Sequence, residues 1–364
     1  MKPSDPKSSH AFATGPAQPE PSRRGVLKTG LAVGLRAFGR PASGLLAQAA
    51  FGMSAVAMAT HRAEALETVS ALPLPEPGQY LDAGLRDPKT SRHIGLRLRR
   101  PAVPARGGDE ASEATASAGQ AAQEPLILHS PGLGSGLANG ARWCDAWQDA
   151  GFWVLTLSHP VTNEDLWDGS RGSFKERMNA ALAAGQYPAR VQDVRFVLDR
   201  LLTDSPLSAL IDPQRIGLSG HSYGALTAQA LAGQHGPAQQ EPRLRAFVAL
   251  SPSAMSRGVA QRMAAVKAPF LCVIGAQDGY VTFKEGAEKI RLGVPVTQRH
   301  WVHEALAPAH RELRVIEQAD HMTLAGEEID ARRFSRDVPA RPPEEARAWQ
   351  EIAEVTTEFW RKVF

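Results

Sequence analysis

One pentapeptide constrains this chain more than any other feature: Gly220-His221-Ser222-Tyr223-Gly224, set between the apolar run 215–219 and the helix-forming run 225–231. The pattern reads as strand, sharp turn, helix. A hydroxyl at the tip of such a turn stands clear of a sheet, and the flanking glycines keep Cβ atoms out of crowded backbone. Ser222 is therefore the candidate nucleophile, and a strand that feeds a helix in this way belongs to an α/β architecture.

A serine hydroxyl becomes reactive only beside a base, an acid that orients the base, and donors for a developing oxyanion. The acid is sought at the carboxyl end of a later strand. Residues 244–250 and 269–275 are both short apolar runs of the kind that form buried parallel strands. The first ends in Ser251-Pro252-Ser253, without a carboxylate, whereas the second ends in Ala276-Gln277-Asp278-Gly279. Asp278 is the candidate acid, its other reading being a turn aspartate, since Asp-Gly favours turns by itself. The base is sought in the loop after the last strand, where residues 314–317 lead into Gln318-Ala319-Asp320-His321. His321 is the candidate base; His300 and His303 are read as surface or substrate-loop residues in a connecting segment, and Asp320 as a loop residue. Two backbone N–H groups should supply the oxyanion donors. Tyr223 follows the nucleophile, and the glycine-rich loop 130–136 after the strand at 125–129 offers Leu133, with Gly132 and Gly134 as neighbouring choices. That loop lacks the spacing of a phosphate-binding motif.

The pairing of Pro131-Gly132-Leu133-Gly134 with Gly220-His221-Ser222-Tyr223-Gly224 resembles the α/β-hydrolase superfamily, in the branch that holds platelet-activating-factor acetylhydrolases and dienelactone-hydrolase-like proteins. Relatives there carry histidine at the position of Pro131 and phenylalanine at that of Tyr223. The resemblance spans about residues 85–364. It implies a mostly parallel sheet with helices on both faces, the chain order Ser222, Asp278, His321 for the triad, and cleavage of a carboxylic ester, small-molecule or lipid, without metal or cofactor. A peptidase or amidase on the same fold, and a non-catalytic binding protein, are the alternatives.

The remaining sequence agrees with one such domain over residues 85–364, preceded by a linker at 60–84. Alternating apolar runs and helical stretches from residue 125 onward read as βαβ units. Residues 94–98 read as an edge strand and 151–157 as a strand. Residues 187–202 and 343–363 read as helices, and Arg190, Asp193 and Asp199 as a solvated or salt-bridged helix face. Trp167, in the loop 162–173, reads either as an apolar wall of a substrate rim or as the docking tryptophan of a surface loop. The segment 173–185 reads as a small helical lid, and 107–123 as a low-complexity loop without periodic apolar positions.

The first 59 residues carry a separate signal. Arg23-Arg24 precedes the apolar residues 29–35, and Ala57-Met58-Ala59 resembles a cleavage site. This is read as a twin-arginine export signal, giving a periplasmic or secreted protein that meets the twin-arginine translocation machinery. An uncleaved membrane anchor and a cytoplasmic protein are the alternatives. These residues hold seven Lys/Arg against two Asp/Glu, so the formal charge of +3 becomes −2 without them. No basic patch interleaved with aromatics supports nucleic-acid binding. Cys144 and Cys272 are read as buried small hydrophobes rather than a disulfide.

Overall fold

The computed structural model describes residues 74–103, 123–327, 330, 332–335 and 342–364, all within the unit Ala55–Phe364. Residues 1–59, read as an export signal, and all of the segment 107–123 except Gln123 lie outside the described residues.

Eleven strands are described: β1 (Tyr80–Arg86), β2 (His93–Arg99), β3 (Glu124–Ser130), β4 (Trp153–Ser158), β5 (Ile211–His221), β6 (Ala246–Leu250), β7 (Phe270–Gln277), β8 (Tyr280–Glu285), β9 (Glu288–Gly293), β10 (Arg311–Asp320) and β11 (Phe334–Ser335). Eight of them form one sheet in the order β1-β2-β4-β3-β5-β6-β7-β10. From β4 through β3 to β10 every pairing is parallel, while β1 and β2 add an antiparallel hairpin at one edge. The helices between them are α1 (Ala141–Asp149), α2 (Phe174–Ala181), α3 (Gln186–Thr203), α4 (Tyr223–Gln229), α5 (Arg257–Gln261), α6 (Val296–Ala305) and α7 (Pro342–Val363). This is the α/β-hydrolase fold expected from the sequence.

Strands β3, β4 and β6 are buried at every position, as interior parallel strands covered on both faces must be. Alternation then divides the core. Leu126, Leu128, Leu218 and Phe247 point to the face covered by α3, with its Val194, Val197, Leu198 and Leu201. Ile127, Val154, Val248 and Val273 point to the other face, against Trp143 and Trp147 of α1 and Phe359 and Trp360 of α7. The indole of Trp147 meets that of Trp360 edge-on at 5.9 Å and donates to Thr356 Oγ1 at 3.0 Å. Cys144 and Cys272 are free and buried on opposite faces.

Three features differ from the sequence reading. Strand β2 is not the edge, because Tyr80–Arg86 pairs with it throughout and Arg97 bridges Asp82 at 2.6 Å. The boundary placed at residue 85 therefore falls inside β1. Residues 299–304, read as a connecting segment, lie within α6, whose Val302 is fully buried. A second sheet, β11-β8-β9, was not foreseen. Its Val281, Phe283 and Phe334 pack with Phe174 and Met178 of α2, and with Leu133 and Met322, into a third apolar cluster. The α2 start was legible: Ser173 and Glu176 form a reciprocal capping box. Among the described residues no helix is long and apolar enough to cross a membrane.

Candidate active site

Strand β5 ends at His221 and α4 starts at Tyr223, so the chain must reverse within Ser222 alone. Its φ of 54° and ψ of −110° lie in the left-handed half of the map, where a residue with a Cβ is strained. Surrounding contacts hold it there: Ser222 N donates to Leu250 O at 3.0 Å, and Leu226 N to Ser222 O at 3.1 Å. The flanking glycines are steric necessities. A Cβ on Gly220 would stand 2.2 Å from Gly224 O, and one on Gly224 would stand 1.8 Å from Ser130 O.

His321 follows β10 in a turn built by Asp320, whose Oδ1 accepts from Met322 N at 3.0 Å and Thr323 N at 2.7 Å. Asp320 is thus the last residue of β10, not the loop residue expected, and its carboxylate shapes the turn that carries His321. The His321 ring lies with Nε2 2.9 Å from Ser222 Oγ and Nδ1 2.9 Å from Asp278 Oδ1. The three residues form one continuous hydrogen-bonded line. Its polarity follows from chemistry: the ionised carboxylate only accepts, so Nδ1 carries the ring proton and Nε2 faces the hydroxyl as the acceptor. Asp278 is fully buried, and His321 is 6% exposed.

Three residues that sequence reasoning did not assign to the site surround this line. Ser251, at the end of β6 with φ 61°, donates its hydroxyl to Asp278 Oδ1 at 3.0 Å and stands 2.9 Å from His321 Nδ1. Arg299, from α6 and 1% exposed, pairs with Asp278 Oδ1 at 2.8 Å. It also donates to the carbonyls of Asp278, Ser251 and Gly279 at 2.7, 3.2 and 3.0 Å. Burial lowers the Arg299 pKa and the Asp278 charge opposes this. His221 donates Nε2–H to His321 O at 3.0 Å, fixing the base's backbone. Desolvation, then the nearby His321, holds the His221 pKa well below the usual value, so this ring stays neutral. The place of Ser251 after a strand's carboxyl end was a local signal for its pairing with Asp278; nothing local announced the others.

The glycine-rich loop packs directly on Ser222. A Cβ on Gly132 would lie 2.9 Å from His221 Nδ1 and 3.5 Å from Ser222 Cβ, so only glycine allows this approach. Gly134 N donates to Thr162 O at 2.8 Å and is therefore engaged. Leu133 N and Tyr223 N have no protein acceptor among the described residues. Trp167 does not stand free at a rim. Its Nε1–H donates to Gly134 O at 2.7 Å, and its ring stacks on Phe174 and Phe283 at 6.0 and 6.2 Å. The residue thereby clips the glycine-rich loop to the third apolar cluster.

Behind the loop lies a buried polar network. Arg190, 1% exposed, donates to Thr162 Oγ1 at 2.7 Å, to Ser130 Oγ at 3.0 Å and to Pro131 O. Ser130 Oγ also meets His159 Nε2 at 3.0 Å, and His159 Nδ1 meets Asp193 at 2.9 Å. Arg92 closes the chain on Asp193 through two 2.7 Å bonds. Arg190 and Asp193 are buried, not solvated; Asp193 keeps the salt-bridged part of the sequence reading, and Asp199 keeps both parts, exposed and paired with Arg243 at 2.6 Å. Burial lowers His159 to a pKa of about 4. His129, between Ser219 and Asn139, falls to about 4 for the same cause. Among the described residues no group of three or more His, Cys, Asp or Glu side chains could hold a metal ion.

Among solved structures the chain is similar to 2,6-dihydroxy-pseudo-oxynicotine hydrolase, at 15% identity and a TM-score of 0.49, over 79% of this chain and 68% of that one. No family model matches the chain, and no curated protein does.

Proposed function

We propose that this protein is a serine hydrolase that cleaves carboxylic esters through an acyl-enzyme. The observation that carries this reading is the line Ser222 Oγ–His321 Nε2, His321 Nδ1–Asp278 Oδ1, both 2.9 Å, ending on a serine held in a strained elbow. Ser222 Oγ attacks the ester carbonyl carbon as His321 Nε2 takes its proton, and the carbonyl electron pair moves to oxygen. Asp278 holds the resulting imidazolium, and the Leu133 and Tyr223 amides receive the oxyanion. Collapse of the intermediate expels the alcohol, which takes the proton from His321. Water then repeats the sequence on the acyl-enzyme and releases the acid. The apolar cluster around Leu133, Tyr223 and Met322 favours an apolar substituent, small-molecule or lipid, beside the scissile bond.

The test is hydrolysis of p-nitrophenyl esters of graded acyl length by the full chain, beside Ser222→Ala and His321→Ala. Each substitution is expected to lower kcat by about 10⁴-fold or more while circular dichroism stays unchanged. A folded wild-type protein that neither hydrolyses these esters nor is labelled at Ser222 by a phosphonate rules the reading out.

We further propose export by the twin-arginine route, on the strength of Arg23-Arg24 and the apolar residues 29–35. Replacing both arginines by lysine is expected to leave the protein in the cytoplasmic fraction; unchanged fractionation contradicts export by this route.

A further inference from the structure

The two candidate oxyanion amides belong to segments far apart in sequence. Leu133 lies in the loop after β3, and Tyr223 starts α4 after β5. An oxyanion hole works only if its donors are fixed relative to each other before the charge develops, because donors that reorganise during the reaction forfeit much of their benefit. Something must set that register. Arg190 is a side chain that touches both segments. Its guanidinium donates to Pro131 O, two residues before Leu133, and its Cζ sits 4.7 Å from the centroid of the Tyr223 ring. Thr162 Oγ1 and Thr227 Oγ1, at 2.7 and 3.3 Å, complete its setting. Thr162 in turn holds Gly134 N through its carbonyl at 2.8 Å, so the same cluster fixes the loop on both sides of Leu133.

The charge arrangement argues against a purely packing role. Among the described residues no carboxylate pairs directly with Arg190; Asp193, one turn along α3, is taken by Arg92 and His159. A buried arginine of this kind is expensive compared with an apolar side chain of similar volume. It persists here beside the place where negative charge would develop.

Resting on the serine-hydrolase reading, we propose that Arg190 is a positioning residue of the oxyanion hole: it locks the Leu133 and Tyr223 amides in mutual register and leaves buried positive charge behind them. It does not touch substrate. Its effect is therefore selective for the tetrahedral state and absent from ground-state binding.

A trifluoromethyl ketone carrying the preferred acyl group separates these states. Ser222 Oγ adds to its carbonyl carbon, the carbonyl electron pair moves to oxygen, and His321 takes the proton, leaving an oxyanion like that of the ester intermediate. For Arg190→Met, kcat and ketone affinity are expected to fall together by about 10²-fold, as when an oxyanion donor is lost, with KM within about threefold of wild type. Arg190→Lys should recover part of both. If Arg190→Met does not fold, Thr162→Val carries the test, with a parallel loss of about fivefold in kcat and ketone affinity. Equal changes in KM and kcat, or undiminished ketone affinity in a variant that a phosphonate still labels, overturn the proposal while leaving the hydrolase reading intact. An inactive, unlabelled wild-type protein overturns both.

Discussion

The two sides of the candidate site are each held by an arginine that is 1% exposed, yet the two arginines are partnered in opposite ways. On the acid–base side Arg299 pairs with the buried Asp278 carboxylate and ties down the carbonyls of Ser251 and Gly279. On the oxyanion side Arg190 is held by neutral acceptors and an aromatic face. One charge is cancelled where it sits and the other is not. The difference follows the chemistry proposed for each side: the acid must stay ionised and oriented through the whole cycle, whereas the oxyanion side meets negative charge only transiently.

This comparison yields predictions of decreasing size. Arg299→Met removes the counter-charge of a fully buried carboxylate and is expected to reduce unfolding free energy by about 3–5 kcal/mol, measured by urea denaturation. Arg190→Met, which strands hydroxyl and carbonyl acceptors but no directly paired carboxylate, should lose only about 1–3 kcal/mol. Equal losses would erase the distinction. The pH response comes next. His129 and His159 have folded pKa values lowered to about 4 by burial, against about 6.5 when unfolded. Between those values the unfolded chain binds more protons, so stability is retained above about pH 6.5 and falls as pH drops toward 4, by up to about 3 kcal/mol for each histidine. Since His159 meets Ser130 behind the oxyanion loop, hydrogen exchange at pH 4.5 should rise first in residues 130–134 and later in 275–279. The reverse order would place the weaker side at the acid. The smallest effect belongs to Trp167→Phe, which keeps an aromatic ring but removes the donor to Gly134 O. A loss of about 1 kcal/mol and a fewfold drop in kcat, without change in KM, are expected.

How much of this was legible beforehand depended on the range of each interaction. The Ser222 elbow announced itself because strand, glycines and helix are adjacent in the chain, and Asp278 and His321 because each ends an apolar run at a position the fold reserves for function. The same local logic misread α6 and, on the correctly placed helix α3, the surroundings of Arg190. Arg299 looked like part of a connecting segment since its acceptors lie 20 to 48 residues away. Arg190 looked solvated because its acceptors Ser130 and Thr162 come from other elements, 60 and 28 residues off. For Trp167 both a rim and a docking role were open, and the sheet β11-β8-β9 that receives it was not legible because β11 pairs with β8 some 50 residues back, across α6 and β10.

The sequence alone therefore determined the α/β-hydrolase fold, the strained serine and the two residues in line behind it. These are written in local pattern: side-chain alternation, glycines where backbones touch, and polar residues at strand ends. Only the tertiary structure decided that Ser251 shares the acid, that Leu133 rather than Gly134 keeps a free amide, and that two buried arginines divide the site between them. A charged side chain carries no local mark of whether it will meet water or a buried partner, because its desolvation and its compensation are both set by residues brought together only when the chain is folded.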